Sequence, residues 1–562
     1  MVWAFIALVS SWNKSATFDE VAHIGAGLTY WKYGDFRMNP EHPPLIKLLA
    51  TLPVMLLDKI PLEFRTEEFH VRSWFKSDQY RWGYYVLFRT PINPMMVLFH
   101  ARLVPVAVGV LGGLLAFAWG RILSGSLLGG IFAGLLLLLY PEYAGHSRFV
   151  TFDVPQLVGC AAISLAAWQW WVRPGRRSVA FFAVAAALGA MIKLPVLVFC
   201  CVQIAVLVLL RFTASSDRIT WRQYGHLLLA IALTLYVTIW LFAGFRFSVG
   251  APGIPLEGRS LYAPDDGDYG PGFLAGVLRI LWKLRLLPET FLATVSHVQS
   301  FGGRKYYLME EFSTTGWYHY FLVSFALKTS LVLIALYAAG LLTWLCCLVT
   351  TSPLQRSVHL QRLAVLGLPF LVLLGLIVLG RANLGHRYIL FIYFPLSVIT
   401  GAAMARWWCR HRVGQALSVV AILYLAIAFA RQYPHYATYF NEVVRTPYRG
   451  MKYLGDSNVD WGQDFGLAGE ELRRRGHRHV NFAAFGVSRP SAYGIPGFRW
   501  ILPNYPFAIF IEDTSGVELD PGLPAVFSLT ALRDTRILYP GLFDREPDWI
   551  GNSMVIYYPP LQ

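Results

Sequence analysis

The sequence predicts a polytopic α-helical membrane protein of about eleven transmembrane helices, followed by a small C-terminal α/β domain. Composition is the first indication: of 562 residues, 56% are hydrophobic and 14% are charged, against roughly 25% charged in soluble domains. The second is a series of nearly charge-free runs, each about as long as a membrane-crossing helix. After Ala430 these runs stop, and charged residues, turn dipeptides and short β-prone runs replace them.

The predicted spans lie near residues 1–12, 96–120, 126–141, 154–172, 178–192, 194–211, 224–245, 318–349, 363–380, 386–405 and 413–430. The first is shorter than the roughly 20 residues that cross the hydrocarbon layer, so we expect it to be incomplete or only partly embedded. Lys193 alone separates the fifth run from the sixth, which leaves the division between these two open. The apolar stretch from Leu45 to Leu57 contains Lys47 and Pro53, so we expect it at the membrane interface or packed against the bundle.

Basic residues orient the predicted spans. Arginines cluster in short loops on one side: Arg121; Arg173, Arg176 and Arg177; Arg211, Arg218 and Arg222; Arg356 and Arg362; Arg406, Arg410 and Arg412. Under the positive-inside rule these loops face the cytoplasm. The outer side then holds residues 13–95, 246–317 and 431–562, together with the turns at 142–153 and 381–386. All the long hydrophilic segments therefore share one side of the membrane.

The chain divides into a predicted transmembrane domain, 1–430, and an outer α/β domain, 431–562. The β-prone runs of the outer domain lie at 479–485, 507–511, 525–528 and 554–558, and an amphipathic helix is predicted at 463–475. The outer loop 246–317 shows no obvious helix. None of the six cysteines lies in an outer segment, so we expect no disulfide framework there. The net charge of +15 includes no long basic run, so nucleic acid is not an expected partner.

Carboxylates gather at the predicted outer rim of the membrane. The pair Asp19-Glu20 follows the first apolar run, and Asp19 shares a helix face with His23, four residues later. A carboxylate at the bilayer rim can accept a proton from a hydroxyl or hold a cation. A helix N-cap at Thr17 or Asp19 is the structural alternative, but it accounts for one acid and not for both.

Two further segments place acids on the same side. Prolines on either side of Glu41 and His42 hold these residues on a rigid turn, which is a weak signal for a metal or for acid/base chemistry. A helix start with proline in its first turn is the alternative. Asp153 lies at the outer end of a predicted span, level with Asp19 in this topology, and a helix cap would explain it as well.

Cations are predicted near the outer ends of the spans: Arg102, Lys193, Lys328, Arg381 and Arg387. Ionisable groups inside a membrane are costly and usually have a functional partner, for which a phosphate is suitable. Snorkelling of a long side chain to the interface is the alternative for any one of them. Residues 456–464 have the composition of a calcium loop but lack its sixth-position Gly and closing Glu, so we interpret them as a turn followed by a capped helix.

Several of these segments together resemble a known family. The pattern T-F-D-E-x-x-H at 17–23, followed by N-P-E-H-P-P-L at 39–45, resembles the first outer loop of the protein O-mannosyltransferase superfamily, a branch of the GT-C membrane glycosyltransferases. Further matches are R-F-V-T-F-D at 148–153, T-T-G-W-Y-H-Y-F at 314–321, A-L-K-T-S at 326–330 and N-L-G-H-R-Y at 383–388. Residues 456–464, 492–497 and 550–553 resemble the bacterial phospholipid-carrier-dependent subgroup, and the 246–317 loop is too short for the β-trefoil insert of eukaryotic members.

The resemblance implies a GT-C fold and a reaction. A glycosyl group, as in hexosyl- or mannosyltransferases, would pass from a polyprenyl-phosphate-linked sugar to an acceptor hydroxyl, with inversion. The reaction would take place on the extracytoplasmic face of a bacterial inner (plasma) membrane. Asp19 would be the general base or acceptor-orienting carboxylate, supported by Glu20, and Asp153 matches a second acid near the site. Glu41 matches an acid that lies near a bound metal in related lipid A aminoarabinose transferases, where Lys often follows; here His42 follows.

The expected partners follow from this reaction. Arg102, Lys193, Lys328 and Arg387 would bind the phosphate of the donor, together with Glu41, His42 and Asp153 around the substrate. The acceptor is a protein, a lipid or a glycan, and membrane lipids surround the chain. A divalent metal is left open as a cofactor, with Glu41 and Asp19 as its candidate ligands. The activated donor supplies the energy, so no ATP site is required.

Two other functions remain as alternatives. One is the transfer of a modified sugar to a glycolipid or cell-wall polymer. The other is a lipid-linked-sugar transporter or flippase. Secondary transporters place their substrate sites near the bilayer midplane, between related halves of the chain. The sequence shows neither an acid in the middle of a span nor visible symmetry between halves, which favours the enzyme.

Overall fold

Apolar helices make up most of the chain as far as Arg431, and a small mixed sheet follows. The computed structural model describes residues 1–57, 78–213, 219–252, 272–297, 305–495, 497–502, 518–535 and 546–559. The helices are α1 (Val2–Val9), α2 (Phe18–Tyr33), α3 (Leu45–Leu57), α4 (Gln79–Phe88), α5 (Pro94–Ser124), α6 (Leu127–Leu138), α7 (Pro141–His146), α8 (Asp153–Val172), α9 (Arg176–Ala190), α10 (Leu194–Thr213), α11 (Trp221–Phe242), α12 (Phe273–Lys283), α13 (Glu289–His297), α14 (Tyr320–Lys328), α15 (Leu331–Thr350), α16 (Pro353–Gly380), α17 (Tyr393–Arg410), α18 (Arg412–Arg431), α19 (Pro447–Gly450), α20 (Phe465–Arg474) and α21 (Leu529–Thr535). The strands are β1 (Tyr306–Leu308), β2 (Glu311–Ser313), β3 (His479–Ala483), β4 (Gly497–Trp500), β5 (Ala525–Ser528), β6 (Asp548–Ile550) and β7 (Met554–Tyr557).

The chain is a helical protein with several candidate membrane spans. Within the described residues, seven helices are long and apolar enough to cross a membrane: α5, α10, α11, α15, α16, α18 and the helix His386–Arg410, which contains α17. Four other runs predicted as spans form α1, α6, α8 and α9, which are shorter or less apolar than these seven. The structure therefore supports a multi-span protein with fewer clear spans than the sequence predicts.

The run 318–349 is wrong as a single span, because it forms two helices. α14 ends at Lys328, and Thr329 has an extended backbone (φ −107°, ψ 130°) before α15 begins at Leu331. Asn441 satisfies the freed carbonyl groups: its Nδ2 donates to Ala326 O at 2.5 Å and to Thr329 O at 3.0 Å. A side chain from a distant part of the chain thus replaces the helical hydrogen bonds at the break.

The described residues of 13–95, the predicted first outer loop, form the three helices α2, α3 and α4. A capping box starts α2, in which Thr17 N donates to Glu20 Oε2 at 3.0 Å, and Gly34 (φ 61°) ends it in the left-handed conformation. α2 touches α4 through backbone atoms, because a Cβ on Gly25 would lie 2.6 Å from Gly83 Cα. The stretch 45–57 forms α3, which buries Ala50 and Val54 completely, so this stretch packs into the core.

The described part of 246–317, the predicted second outer loop, contains helices that the sequence does not indicate. α12 and α13 lie within 246–317, so the expectation of no obvious helix there is wrong. Leu278 of α12 and Leu292 of α13 are buried against each other's helix. Strands β1 and β2 follow as an antiparallel hairpin, with Tyr307 opposite Phe312.

The segment after Arg431 contains a five-stranded mixed sheet in the order β4-β3-β5-β7-β6. β3 pairs in parallel with β4 and β5, and β7 pairs antiparallel with β5 and β6. Three of the β-prone runs contain β3, β5 and β7, and α20 lies within the predicted helix 463–475. The run 507–511 lies outside the described residues. The division of the chain at residue 430 stays a prediction.

Backbone hydrogen bonds join the first outer loop to the C-terminal segment. Ser15 N donates to Gln463 O at 2.9 Å, and Phe18 N donates to Trp461 O at 2.9 Å. One hydrophobic core contains residues of α2, α4 and the mixed sheet. This junction brings Trp461 next to the start of α2, and therefore next to Asp19.

A buried ion pair reinforces this junction. Lys14 Nζ donates to Asp464 Oδ1 at 2.5 Å, and Ser553 Oγ donates to Asp464 Oδ2 at 2.7 Å. Burial by itself would raise the pKa of Asp464, but Lys14, His435 and the hydrogen bond from Ser553 together outweigh burial and hold this pKa at about 2. The pair therefore makes the junction sensitive to acid.

Asp464→Asn is expected to remove an acid-dependent part of the stability. An unfolded aspartate titrates near ~3.9, so the lowered folded pKa stabilises the protein fully above that value and less as the pH falls toward the folded pKa. The wild-type protein should lose about 2 kcal/mol of unfolding free energy over this window. Thermal unfolding of the detergent-solubilised protein across the acid range measures it, and an equal acid dependence in Asp464→Asn would contradict the assignment.

Candidate functional site

Residues from distant parts of the chain line a cavity of about 910 Å³. Its wall includes the start of α2, the turn before α3, the starts of α8 and α10, the 383–388 segment, hairpin β1–β2 and C-terminal loops. Six residues predicted from the sequence lie in this wall: Asp19, Glu41, His42, Asp153, Lys193 and Arg387. Glu20, Arg102 and Lys328 are not among the described residues that line it.

Four charged side chains form a connected cluster in the cavity wall. Arg387 Nη1 donates to Asp19 Oδ2 at 2.6 Å and lies 3.7 Å from Asp153 Oδ2. Lys193 Nζ donates to Asp153 Oδ1 at 2.9 Å. The Asp19 side chain is 21% exposed and that of Asp153 only 4%. Asp19 is thus the more accessible of the two acids, and Asp153 is the more enclosed counter-ion of both cations.

The backbone around Arg387 is held by the C-terminal segment. Arg387 lies in the 3₁₀ turn His386–Ile392, just after Gly385, whose φ is 138°. A Cβ on Gly385 would clash with Ser457 Oγ, so only glycine allows this approach. His386 N donates to Asn458 Oδ1 at 2.9 Å. The position of Arg387 therefore depends on residues that follow the last predicted span.

Trp461 completes the surroundings of the cluster. The guanidinium carbon of Arg387 lies 4.2 Å from the centroid of the Trp461 ring, a distance typical of a cation–π contact. Trp461 is almost fully buried and lines the cavity. Residues 456–464 are predicted from the sequence to form a turn followed by a capped helix, and this prediction gives Trp461 no role. The D-S-N-V-D-W-G-Q-D run was the signal that could have identified it.

Glu41 and His42 lie on another part of the wall. Glu41 Oε1 accepts a hydrogen bond from Gln79 Nε2 at 2.7 Å and lies 3.6 Å from His297 Nε2. The His42 ring packs 4.3 Å from the Phe152 ring, and burial lowers the pKa of His42 well below its usual value. His42 is therefore neutral near pH 7 and does not supply the charge of a lysine at this position.

The described residues around Glu41 offer few ligands for a metal ion. Glu41 and His297 are close enough to share an ion, but across the described ranges no group of three or more His, Cys, Asp and Glu side chains is placed to hold one. Two protein ligands are fewer than the three of a typical catalytic zinc site. The described residues alone therefore do not complete a metal site, and Asp19 pairs with Arg387 instead.

His23 reaches the cavity from the same helix as Asp19, as their spacing predicts. Its Nδ1 lies 2.7 Å from Val150 O, so Nδ1 carries the proton that this carbonyl accepts. Burial lowers the pKa of His23, which favours the neutral ring. The other nitrogen, Nε2, is then a hydrogen-bond acceptor.

Glu20 and Arg102 form a buried ion pair instead of lining the cavity. Arg102 Nε donates to Glu20 Oε1 at 2.9 Å and Nη2 to Glu20 Oε2 at 2.7 Å. The remaining guanidinium hydrogen bonds go to the carbonyls of Ser11, Lys14 and Ser15. Burial alone would raise the pKa of Glu20, but Arg102 and the backbone N–H groups of Thr17 and Val150 together outweigh burial, so this pKa is lowered. These contacts hold the turn before α2, and with it Asp19.

Lys328 also has protein partners. Its ammonium group pairs with Glu142 at 2.7 Å and donates to Asn458 O at 2.7 Å. Glu142 is in turn 3.4 Å from His146. Lys328 is fully buried, so it positions the C-terminal loop that carries Asn458 rather than facing the cavity.

The sequence matches no protein-family model and no curated protein. Among solved structures, the chain is similar to ArnT from Cupriavidus metallidurans bound to undecaprenyl phosphate, with 13% identity, a TM-score of 0.47 and coverage of 99% of this chain and 96% of that one. It is also similar to the apo oligosaccharyltransferase of Archaeoglobus fulgidus: 12% identity, a TM-score of 0.46, and coverage of 88% of this chain and 62% of that one. A complex of the archaeal enzyme AglB from the same organism, with an inhibitory peptide and a dolichol-phosphate, has 12% identity and a TM-score of 0.45, covering 94% and 68%. These TM-scores are too low for the likeness to carry a function.

Asn383 also lines the cavity, next in the chain to the segment that carries Arg387. Its Oδ1 accepts a hydrogen bond from Trp317 N at 2.6 Å, which connects this segment to the start of the run 317–321. The N-L-G-H-R-Y motif contains Asn383, but the sequence did not identify it as a site residue.

Proposed function

We propose that the protein transfers a glycosyl group from a polyprenyl-phosphate-linked sugar to an acceptor hydroxyl. One observation carries the proposal: Asp19 and Arg387 form an ion pair at the wall of a 910 Å³ cavity in a multi-span chain. The motifs that resemble the protein O-mannosyltransferase superfamily supply both residues. The cavity combines an accessible carboxylate with cations, as displacement of a phosphate leaving group requires.

The cations of the cavity wall favour a phosphate as the leaving group. Arg387 and Lys193 both lie in this wall, and Asn383 lines it as well. A guanidinium and an amide donor can bind phosphate oxygens with charge-assisted hydrogen bonds. As the bond between the anomeric carbon and the phosphate oxygen breaks, its electron pair stays on that oxygen, and these donors stabilise the added charge.

Asp19 is suited to accept the proton of the acceptor. Arg387 binds Asp19 Oδ2, which leaves Oδ1 for a hydroxyl. The acceptor oxygen forms a bond to the anomeric carbon while its proton passes to Asp19. Direct displacement of this kind inverts the anomeric carbon. Asp153 keeps Arg387 and Lys193 in place, and Glu20 acts only through the turn that it holds.

The proposal includes the side of the membrane on which the cavity lies and the part that each region of the chain plays. The basic short loops support a cavity on the extracytoplasmic side of a bacterial plasma membrane. The transmembrane part, 1–430, supplies Asp19, Asp153, Lys193 and Arg387. The outer part, 431–562, supplies Trp461 and closes the site. A polyprenyl chain would remain in the bilayer while its phosphate enters the cavity.

A cleavage assay in nanodiscs tests the proposal. Labelled polyprenyl-monophosphate hexoses are incubated with the purified protein and a mixture of hydroxyl acceptors (oligosaccharides, a Ser/Thr peptide and a glycolipid). Free polyprenyl phosphate is then measured with and without a chelator. Release of polyprenyl phosphate, with a product of inverted anomeric configuration, is the expected result. Movement of the intact lipid-linked sugar across proteoliposomes without cleavage would instead establish a flippase. A drop in activity with the chelator would show that a metal takes part.

A further inference from the structure

One part of the cavity wall lies beside the charged cluster, and its Asp456 interacts electrostatically with Arg387. It is formed by hairpin β1–β2, the 3₁₀ turn at Asp456 and helix α21. We call it the aromatic wall, and its residues are Tyr307, Phe312, Asp456, Arg533 and Asp534. All five residues line the cavity. The Arg533 guanidinium carbon lies 4.3 Å from the Tyr307 ring centroid and 5.5 Å from that of Phe312. The donor chemistry proposed for Asp19 and Arg387 leaves this wall unused.

Hydrogen bonding and close backbone packing fix the side chains of the aromatic wall. Arg533 Nε donates to Asp534 Oδ1 at 2.8 Å, which orients the guanidinium. A Cβ on Gly455 would clash with Arg533 Nη1, so the glycine backbone leaves room for this side chain. Asp456 adopts φ 56°, a left-handed conformation that non-glycine residues rarely take. Such strain is usually kept where it serves a site.

Flat rings beside fixed polar groups are a chemistry that recognises sugars. A pyranose presents an apolar C–H face, which packs on an aromatic ring, and a rim of hydroxyls, which donate to carboxylates and accept from guanidinium groups. The Phe312 side chain is 58% exposed, so it is open to a ligand at the cavity edge. The cavity volume of about 910 Å³ lies at the upper end of the ~300–1,000 Å³ of small-molecule sites. It therefore has room for a second sugar beside a donor headgroup.

We propose that the aromatic wall is the acceptor subsite and that its ligand is a carbohydrate chain. This inference rests on the proposed function, because the bound sugar would offer its hydroxyl to Asp19. Among the acceptor classes left open by the sequence, a glycan fits the rings and the paired charges better than a protein segment does. A carbohydrate is bound through ring faces and side-chain hydrogen bonds, which are the groups that the aromatic wall offers.

Binding of defined probes tests the acceptor subsite without any chemistry. Saturation-transfer difference NMR is recorded on the full chain in nanodiscs with linear oligosaccharides of mannose, glucose and N-acetylglucosamine, and with a short Ser/Thr peptide. At least one oligosaccharide should bind, and the peptide should not. Arg533→Gln should weaken that binding about tenfold or more, as loss of a charged hydrogen bond does.

Arg475→Gln is the matched control. Arg475 also pairs with carboxylates and lies over a tyrosine, Tyr558, at 5.9 Å, but it does not line the cavity. Its substitution should leave oligosaccharide binding unchanged. If Arg533→Gln fails to fold, Phe312→Ala replaces it, because an exposed side chain can be truncated with little effect on stability.

The outcomes separate the two proposals. The protein could bind an oligosaccharide through Arg533 and yet cleave no lipid-linked donor. This result would contradict the proposed function and leave the aromatic wall as a carbohydrate site. Preferential binding of the peptide, no binding of any oligosaccharide, or equal loss in Arg533→Gln and Arg475→Gln would overturn the acceptor subsite. Cleavage of the lipid-linked donor would support the proposed function even if the acceptor subsite were overturned in this way.

Discussion

Asp19→Asn is expected to lower the rate of glycosyl transfer by about 10²–10⁴-fold, the usual contribution of a general base. Asparagine keeps the shape of the side chain and one acceptor oxygen for Arg387, but it cannot take the acceptor proton. The fold should stay intact, because the Asp19 side chain is partly exposed and its ion pair with Arg387 lies at the cavity wall. Release of polyprenyl phosphate by the purified variant in nanodiscs measures the effect.

Asp548→Asn is a suitable control for this experiment. The Asp548 side chain is 59% exposed and pairs with Arg475 on the mixed sheet, away from the cavity lining. Its transfer rate should match that of the wild type. Wild-type transfer by correctly folded Asp19→Asn would end the assignment of Asp19 as the base, and attention would pass to His23, whose Nε2 is an acceptor in the same cavity.

Glu20→Gln should lower the stability of the fold, whereas Asp19→Asn should lower the rate of transfer. The substitution leaves the Arg102 guanidinium buried without its counter-ion, and breaking a buried pair in this way costs about 3–5 kcal/mol. We expect a markedly lower unfolding temperature of the detergent-solubilised protein. Any loss of transfer should follow the loss of folded protein, since Glu20 does not line the cavity.

Glu471→Gln provides the comparison for an ion pair nearer the surface. Glu471 pairs with Arg474 and Arg475 on α20, and the Arg474 side chain is 70% exposed. Exposed pairs of this kind contribute about 0–1 kcal/mol, so this variant should unfold near the wild-type temperature. A stable but inactive Glu20→Gln would show that Glu20 contributes to transfer beyond its part in stability, as it does if it positions Asp19.

The adjacent acids Asp19 and Glu20 show what the sequence can predict about the site and what it cannot. The T-F-D-E pattern indicates a functional acid pair, yet only one member reaches the cavity. Successive residues on a helix point about 100° apart, so Asp19 faces the cavity while Glu20 turns into the core. The sequence shows that the two residues begin a helix, but which face of that helix meets the cavity depends on the packing of α2 against α4.

The cations show the same limit. Arg102, Lys193, Lys328 and Arg387 look alike in the sequence, as single charges near the ends of apolar runs. In the structure Lys193 and Arg387 line the cavity, whereas Arg102 and Lys328 are enclosed by protein partners. A buried charge must have partners, but those partners come from loops that are far away in the chain.

Local features of the chain were enough to predict its helical membrane character, the mixed secondary structure of its C-terminal segment, and Asp19 and Arg387 as candidate site residues. Composition, periodicity and short motifs carry this information, and each can be read from neighbouring residues. The break at Thr329, the separation of Asp19 from Glu20, the place of Trp461 over Arg387 and the aromatic wall emerged only from the folded chain. These features depend on contacts between residues that are mostly far apart in the chain, and local propensity does not encode such contacts.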